Sequence, residues 1–124
     1  MHSPVRNEIH TIFVHVSDLK SSVKWYSELL GQEYDLETVT DPVYNLSINH
    51  HTGLTLDAGS ETEEKQVTPS KYPLFNFHTD DIQEAYTFAE DQGYTIESGI
   101  TNFEDFSFFT ILDPDGHCIM ICTG

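Results

Sequence analysis

Two stretches of the chain carry the same pattern of apolar and polar positions, FVHVSDL at residues 13–19 and NFHTDDI at residues 76–82. In each, apolar and polar residues alternate along a segment that contains a histidine. An aspartate follows, and after it the apolar residues lie three and four positions apart. Alternation predicts a strand, and the wider spacing predicts an amphipathic helix. The matching positions, 63 residues apart, are His15 and His78, Asp18 and Asp81, Trp25 and Phe88, and Gly53 and Gly116. The chain is therefore predicted to hold two copies of one unit, and ligand sites tend to lie where such copies face each other.

The first copy, about residues 9–58, is predicted to contain a strand, a helix and three further strands. Residues 9–16 are rich in β-branched side chains and favour a strand. Asp18 is a suitable N-cap for the helix, and Gly31 stands where a left-handed residue commonly ends one. The three further strands are predicted at residues 33–39, 43–49 and 53–58.

The second copy, about residues 73–124, repeats this order after a polar linker at residues 59–70. Asp80 or Asp81 is predicted to cap its helix, and Gly93 to end it. Its strands are predicted at residues 73–79, 94–98, 105–112 and 117–122, with a tight turn at residues 113–116. The predicted fold class is α+β: two tandem βαβββ modules in a single domain, forming a curled mixed sheet around a cleft.

The charge of the chain narrows the classes of partner. Among 124 residues there are 5 Lys and Arg against 21 Asp and Glu, a formal net charge of −16. A surface this acidic repels phosphate backbones and anionic lipid headgroups, so no nucleic-acid or membrane partner is expected. Such a surface attracts cationic ligands. The alternative interpretation is that the acidic residues only keep the protein soluble.

Two further features predict a reduced, cytoplasmic protein. No apolar run approaches the roughly 20 residues that span a bilayer, and the first residues lack the apolar segment of a signal peptide. Cys118 and Cys122 lie four residues apart in one predicted strand. Their Cα atoms would then be about 13 Å apart, which is too far for a disulfide.

Three segments carry a family resemblance: VSDLKSSVKWYSELLG at residues 16–31, DDIQEAYTFAEDQG at 80–93 and LDPDGHCIMI at 112–121. They are similar to the two helices and the closing turn and strand of the vicinal oxygen chelate superfamily. That superfamily includes glyoxalase I, bleomycin-resistance proteins, fosfomycin-resistance enzymes and extradiol dioxygenases. The resemblance implies the two-module fold and a homodimer. It does not imply one reaction, because this architecture hosts unrelated reactions and plain binding proteins.

The resemblance also implies four metal-ligand positions, on the first and last strands of each module, where a divalent metal would chelate two substrate oxygens. The first-strand position lies seven residues before the capping aspartate, and the last-strand position four residues after the turn glycine. Counting back from Asp18 and Asp81 gives the first-strand positions, and counting forward from Gly53 and Gly116 gives the last-strand positions. The four positions hold Thr11, Asp57, Leu74 and Met120. Only Asp57 is a good ligand for a hard cation, so neither a metal nor another cofactor is predicted.

Two alternatives would restore a metal site. A β-bulge in the first strand would turn His10 inward in place of Thr11. A displaced site could instead draw on His15, Asp57 and His78. The paired histidines His15 and His78 are also candidates for ligand binding near neutral pH, or they simply hydrogen-bond to the turns that follow them.

Strand alternation predicts which side chains line the cleft. The predicted cleft residues are Thr11, Phe13, His15, Thr55, Asp57, Asn76, His78 and Met120, with Cys118 beside them. A mostly apolar lining with a few polar groups is typical of a small-molecule pocket. Cys118 is interpreted as a small buried apolar side chain rather than a nucleophile. The aromatic segment 103–109 is interpreted as core packing or a dimer contact rather than a stacking platform.

These observations favour a metal-independent protein that binds a small molecule, for which the surface charge suggests a cation, as bleomycin-resistance proteins do. The alternative is a metal-dependent lyase or dioxygenase of the same superfamily with a displaced metal site. A third hypothesis is a mainly structural role, with Phe and Met side chains filling the cleft. No catalytic residue is identified, and whether the protein catalyses a reaction stays open.

Overall fold

The computed structural model describes residues 1–59 and 67–124. The chain divides into two compact units, Met1–Val67 and Thr68–Gly124. Each contains an open mixed β-sheet and one α-helix, so the predicted α+β class is confirmed. In the described ranges, neither helix has the length and apolar character needed to cross a membrane.

The first unit contains a three-stranded sheet. Its strands are β1 (Thr11–His15), β2 (Val43–Ser47) and β3 (Gly53–Asp57), and its helix is α1 (Leu19–Leu29). The sheet order is β1-β3-β2, with β1 parallel and β2 antiparallel to the central strand β3.

One predicted strand of this unit is wrong. Within residues 33–39, Leu36–Thr38 form a short 3₁₀ helix instead. Asp35 explains the difference, because its side chain accepts a hydrogen bond from the Glu37 N–H (3.0 Å) and its carbonyl accepts one from the Thr38 N–H (3.0 Å). Such local bonds offer the backbone an alternative to a strand ladder.

The second unit has the complete βαβββ order. It consists of β4 (Asn76–His78), α2 (Ile82–Asp91), β5 (Thr95–Asn102), β6 (Ser107–Leu112) and β7 (Cys118–Cys122). The sheet order is β4-β7-β6-β5, with β4 parallel to β7 and the other pairs antiparallel.

Both helices begin and end as the sequence predicts. The Asp18 carboxylate accepts a hydrogen bond from the Ser21 N–H (3.2 Å), and the Asp81 carboxylate accepts one from the Glu84 N–H (3.0 Å). Each bond satisfies one of the backbone donors that a helix start leaves unpaired. Gly31 at φ 67° and its counterpart in the second unit at φ 75° follow the two helices in the left-handed region.

Each helix packs on one face of its own sheet. In the first unit, Val23 and Tyr26 of α1 are fully buried, as is Leu56 of β3. In the second unit, Tyr86 of α2 contacts the buried Phe109 of β6 edge to face, with ring centroids 5.2 Å apart. We call the opposite face of each sheet its far face, and the candidate site residues lie there.

Candidate functional site

The far face of the first unit carries five of the predicted cleft residues. Alternation turns Val14 of β1 into the core and leaves Phe13 61% exposed on the far face. The strand register places the far-face residues in three cross-strand rows. These rows are Thr11, Gly53 and Ser47; Phe13, Thr55 and Asn45; and His15, Asp57 and Val43.

Hydrogen bonds within this face engage its polar groups. Thr55 is 8% exposed, and its hydroxyl donates to the Asn45 side-chain oxygen at 2.6 Å. One oxygen of Asp57 accepts a hydrogen bond from the Gly59 N–H at 2.8 Å, just after β3 ends. Asp57 therefore holds the chain at the end of its strand as well as facing the site.

The far face of the second unit carries Asn76, His78 and Met120. Asn76 pairs with Met120 across β4 and β7, and its amide donates to the Met120 sulfur at 3.9 Å. His78 pairs with Cys122, and Cys122 pairs in turn with Phe108 of β6. This face is therefore rich in sulfur and aromatic groups, whereas the first unit presents hydroxyl and amide groups.

The two units differ in register by two residues. In the first unit His15 lies beside Asp57, but in the second unit His78 lies beside Cys122 rather than Met120. Gly53 is the first residue of β3, whereas Gly116 lies in the turn before β7 at φ 86°. The sequence match of these two glycines is therefore wrong as a structural match. The 63-residue offset holds for the strand and helix that open each unit and fails for the closing hairpin.

This register corrects the count of metal-ligand positions. Met120 lies beside Asn76 as Thr55 lies beside Phe13, so the counterpart of Met120 is Thr55 and not Asp57. The four positions then hold two hydroxyl groups, an aliphatic chain and a thioether: Thr11, Thr55, Leu74 and Met120. None of these is a strong ligand for a hard divalent cation. The residues present do not fit the family's metal.

The alternative metal sites gain no support within either unit. β1 pairs with β3 without a register shift from Thr11 to His15, so the described strand contains no bulge that would turn His10 inward. His10 is exposed, and its Nδ1 lies 2.7 Å from the Thr11 hydroxyl oxygen. Over residues 1–59 and 67–124, no three His, Cys, Asp or Glu side chains are grouped so that they could hold a metal ion.

His78 is hydrogen-bonded through both ring nitrogens. Its Nε2 lies 2.8 Å from the Asp80 carboxylate and its Nδ1 lies 3.4 Å from the Gly124 carbonyl oxygen. The Asp80 hydrogen bond is the main cause that raises the pKa of His78; the hydrogen bond to the Gly124 carbonyl and the charge of Asp80 also raise it, whereas desolvation lowers it. The side chain is 57% exposed. The interpretation of His78 as a histidine bonded to the turn that follows it is therefore supported.

Cys118 is buried beside this face. Burial raises the pKa of its thiol, and the nearby Glu97 charge adds to that, while a hydrogen bond with Thr110 acts in the opposite direction. A thiol with a raised pKa is a poor nucleophile at neutral pH, because the thiolate is the reactive form. Cys122 is also a free, buried cysteine. Both cysteines pack as small apolar side chains.

The structure also brings together three histidines that the sequence did not connect. His10, His50 and His51 line a cavity of about 400 Å³ in the first unit. The hydrogen bond from the Gly53 N–H to the His10 carbonyl (2.8 Å) joins the segment before β1 to the first residue of β3. The long sequence separation explains why the pattern gave no signal of this arrangement.

Comparisons with known proteins agree with this fold. Residues 8–121 match the family model of the Glyoxalase/Bleomycin resistance protein/Dioxygenase superfamily, and the chain therefore belongs to that superfamily. Among curated proteins, none matches the chain.

Several solved structures share the fold. Oxidase ChaP-H1 is similar at a TM-score of 0.71 and 20% identity, covering 96% of this chain and 97% of that one. An integron cassette protein from the mobile metagenome of the Halifax Harbour sewage outfall gives a TM-score of 0.72 and 22% identity, covering 96% of this chain and 100% of that one. The lactoylglutathione lyase from Agrobacterium tumefaciens gives a TM-score of 0.70 and 16% identity, covering 95% of this chain and 94% of that one. At these identities the likeness extends to the fold alone.

Proposed function

We propose that this protein binds a small organic cation on the far face of one of its sheets and does so without a metal ion. The observation that carries the proposal is the composition of the family's four metal-ligand positions. After the register correction they hold Thr11, Thr55, Leu74 and Met120, none of which is a carboxylate or an imidazole. The faces keep groups that suit an organic ligand, namely the exposed Phe13 ring and the Asn76 amide.

The choice of a cation rests on charge. The chain has a formal net charge of −16, and Lys71 is the single Lys or Arg between residues 68 and 124. Such a field raises the local concentration of cations and repels anions. We propose further that the protein acts as a cytoplasmic homodimer. The two free cysteines support a reducing compartment, and the exposed Tyr72 and Leu74 side chains, 78% and 81% exposed, supply apolar surface for a second copy.

A thermal-shift experiment tests the proposal. The purified protein is heated with and without EDTA, and then with a set of organic cations matched by neutral and anionic compounds of similar size. We expect EDTA to leave the melting temperature unchanged and at least one cation to raise it, because a ligand that binds only the folded state stabilises it. A melting temperature that falls with EDTA and recovers with added Zn²⁺, Ni²⁺, Mn²⁺ or Fe²⁺ would support a metal-dependent lyase or dioxygenase instead.

A further inference from the structure

Three phenylalanines of the second unit form a cluster apart from its core. The ring centroids of Phe103, Phe106 and Phe108 lie 5.0, 5.9 and 6.2 Å apart, and their planes differ by 34°, 16° and 26°. Centroid separations of this size between rings close to parallel are typical of offset stacking. Phe109 is separate, since it is 1% exposed and contacts Tyr86 on the helix side. We call the first three residues the aromatic cluster.

The backbone around the aromatic cluster is held in place. The Phe103 N–H donates to the Phe106 carbonyl at 2.8 Å, which closes the loop between β5 and β6. The Ser107 N–H donates to the Thr123 hydroxyl at 2.9 Å, and the Thr123 N–H donates to the Ser107 carbonyl at 2.9 Å. A surface that is already ordered loses little conformational entropy when a ligand binds to it.

The aromatic cluster is reachable from solvent and continuous with the candidate site. Phe103 is 53% exposed, and Phe106 and Phe108 are half-buried. Phe108 lies on the far face in one cross-strand row with Cys122 and His78. Two strand spacings separate Phe108 from His78, a distance of about 10 Å. A small ligand on this far face can therefore contact the aromatic cluster.

Two carboxylates stand between the rings in sequence. Glu104 and Asp105 occupy the loop between Phe103 and Phe106, and both are exposed. In the described part of the chain, no hydrogen bond or ion pair engages either carboxylate. Aromatic faces carry negative charge density and attract cations, and adjacent carboxylates add to this attraction. The combination selects against anions and favours a ligand that is both planar and positively charged.

We propose that the aromatic cluster, with Glu104 and Asp105, is a subsite for a planar aromatic cation. The ring system of the ligand packs against the exposed Phe103 ring at the edge of the cluster, and its positive charge lies near the two carboxylates. This inference rests on the proposed function, because it names the chemical class of ligand and the residues that recognise it. It replaces the sequence-based interpretation of this segment as core packing or a dimer contact for Phe103, Phe106 and Phe108, and keeps core packing for Phe109.

A matched pair of probes tests the subsite. N-methylacridinium carries a permanent charge, and acridine, at a pH where its nitrogen is unprotonated, has nearly the same shape without it. Fluorescence titration should show N-methylacridinium binding about ten-fold more tightly than acridine. Phe103→Leu should weaken the binding of N-methylacridinium about ten-fold, since the leucine keeps apolar bulk and removes the ring. Phe88→Leu is the control, because Phe88 is 38% exposed on α2 and lies outside the cluster.

The carboxylates are tested separately from the rings. The double variant Glu104→Gln with Asp105→Asn should weaken N-methylacridinium binding about five-fold at low salt and leave acridine binding unchanged. Circular dichroism and the melting temperature of each variant establish that it folds like the wild type.

The results separate this proposal from the one on which it rests. If a cation binds the wild type and Phe103→Leu binds it equally well, the subsite is wrong and the proposed function stands. If no cation binds the wild type, both are wrong. Equal affinity for the two probes overturns the subsite, as does a change of oligomeric state in Phe103→Leu at sedimentation equilibrium. That last result would make the aromatic cluster a contact between copies of the chain.

Discussion

The two units begin alike and end differently. Each opens with a strand that runs through a histidine to a capping aspartate and a helix, and these features match at an offset of 63 residues. The closing hairpins do not match at that offset, because β3 pairs with β1 two residues out of step with the pairing of β7 and β4. A side chain two residues along a strand stays on the same face but moves about 6.6 Å. A repeat can therefore assign residues to the correct face and still assign them to the wrong position.

The difference between the units extends to their chemistry. The far face of the first unit presents hydroxyl and amide groups around an exposed Phe13. The far face of the second unit presents sulfur atoms and leads to the aromatic cluster. The two units therefore share their opening strand and helix but offer different chemical groups to a ligand on their far faces.

The largest expected effect separates two phenylalanines of one segment. Phe109→Ala should lower the free energy of unfolding by about 3–5 kcal/mol, because it empties a buried site packed against Tyr86. Phe103→Ala should cost about 1 kcal/mol or less, since that ring is 53% exposed. Urea denaturation of both variants measures the difference. Equal losses would show that the aromatic cluster belongs to the core after all.

The next effect tests the different backbone conformations of Gly53 and Gly116. Gly116→Ala should destabilise the protein by about 1–3 kcal/mol, because φ 86° is strained for any residue with a side chain. Gly53→Ala should be close to neutral. Gly53 is an extended strand residue, and the added Cβ would meet only the Leu46 carbonyl oxygen at an ordinary 3.6 Å. Equal destabilisation in thermal unfolding would contradict the different backbone conformations of the two glycines.

A smaller effect tests the helix caps, which the two units have in common. Asp18→Ala and Asp81→Ala should each lower the free energy of unfolding by about 1 kcal/mol, because each removes the acceptor for a backbone N–H in the first turn. Asp18→Ser and Asp81→Ser keep a capping oxygen and should recover most of the loss. An alanine variant as stable as its serine partner in urea would show that the cap of that unit is not important.

The smallest effect concerns the pH dependence of His78. The hydrogen bond to Asp80 raises the pKa of this histidine in the folded protein above its ordinary value of 6.5. The resulting stabilisation is fully present below that ordinary value and is lost as the pH rises through the higher folded value. Asp80→Asn should lower the pKa of His78 toward 6.5, which an NMR titration of the ring signals measures. An unchanged titration curve would remove Asp80 as the cause.

Much of the fold could be predicted because its signals are local. The capping aspartates and the glycines that end the helices act within one turn, so their spacing in the sequence reports their structure. The assignment of Thr11, Phe13 and His15 to one face follows from strand alternation alone. The 3₁₀ helix was missed because the Asp35 side chain competes with the strand ladder, and apolar spacing carries no record of that bond.

The rest depends on contacts between distant residues. Whether Asp57 or Thr55 matches Met120 is decided by strand pairing, and both choices satisfy the same alternation. The exposure of Phe103 and the burial of Phe109 are likewise properties of packing, since the two residues have the same side chain. The cavity beside His10 forms only when β1 and β3 pair.

Elemental analysis tests the central claim most directly, namely that a superfamily member with this residue set works without a metal. The protein is expressed in medium supplemented with Zn²⁺, Ni²⁺, Mn²⁺ and Fe²⁺, purified without chelator, and measured by inductively coupled plasma mass spectrometry. We expect metal far below one ion per chain, and the same trace level in a Thr55→Ala, Met120→Ala double variant. A stoichiometric divalent metal in the wild type that EDTA removes, together with a fall in melting temperature, would contradict it.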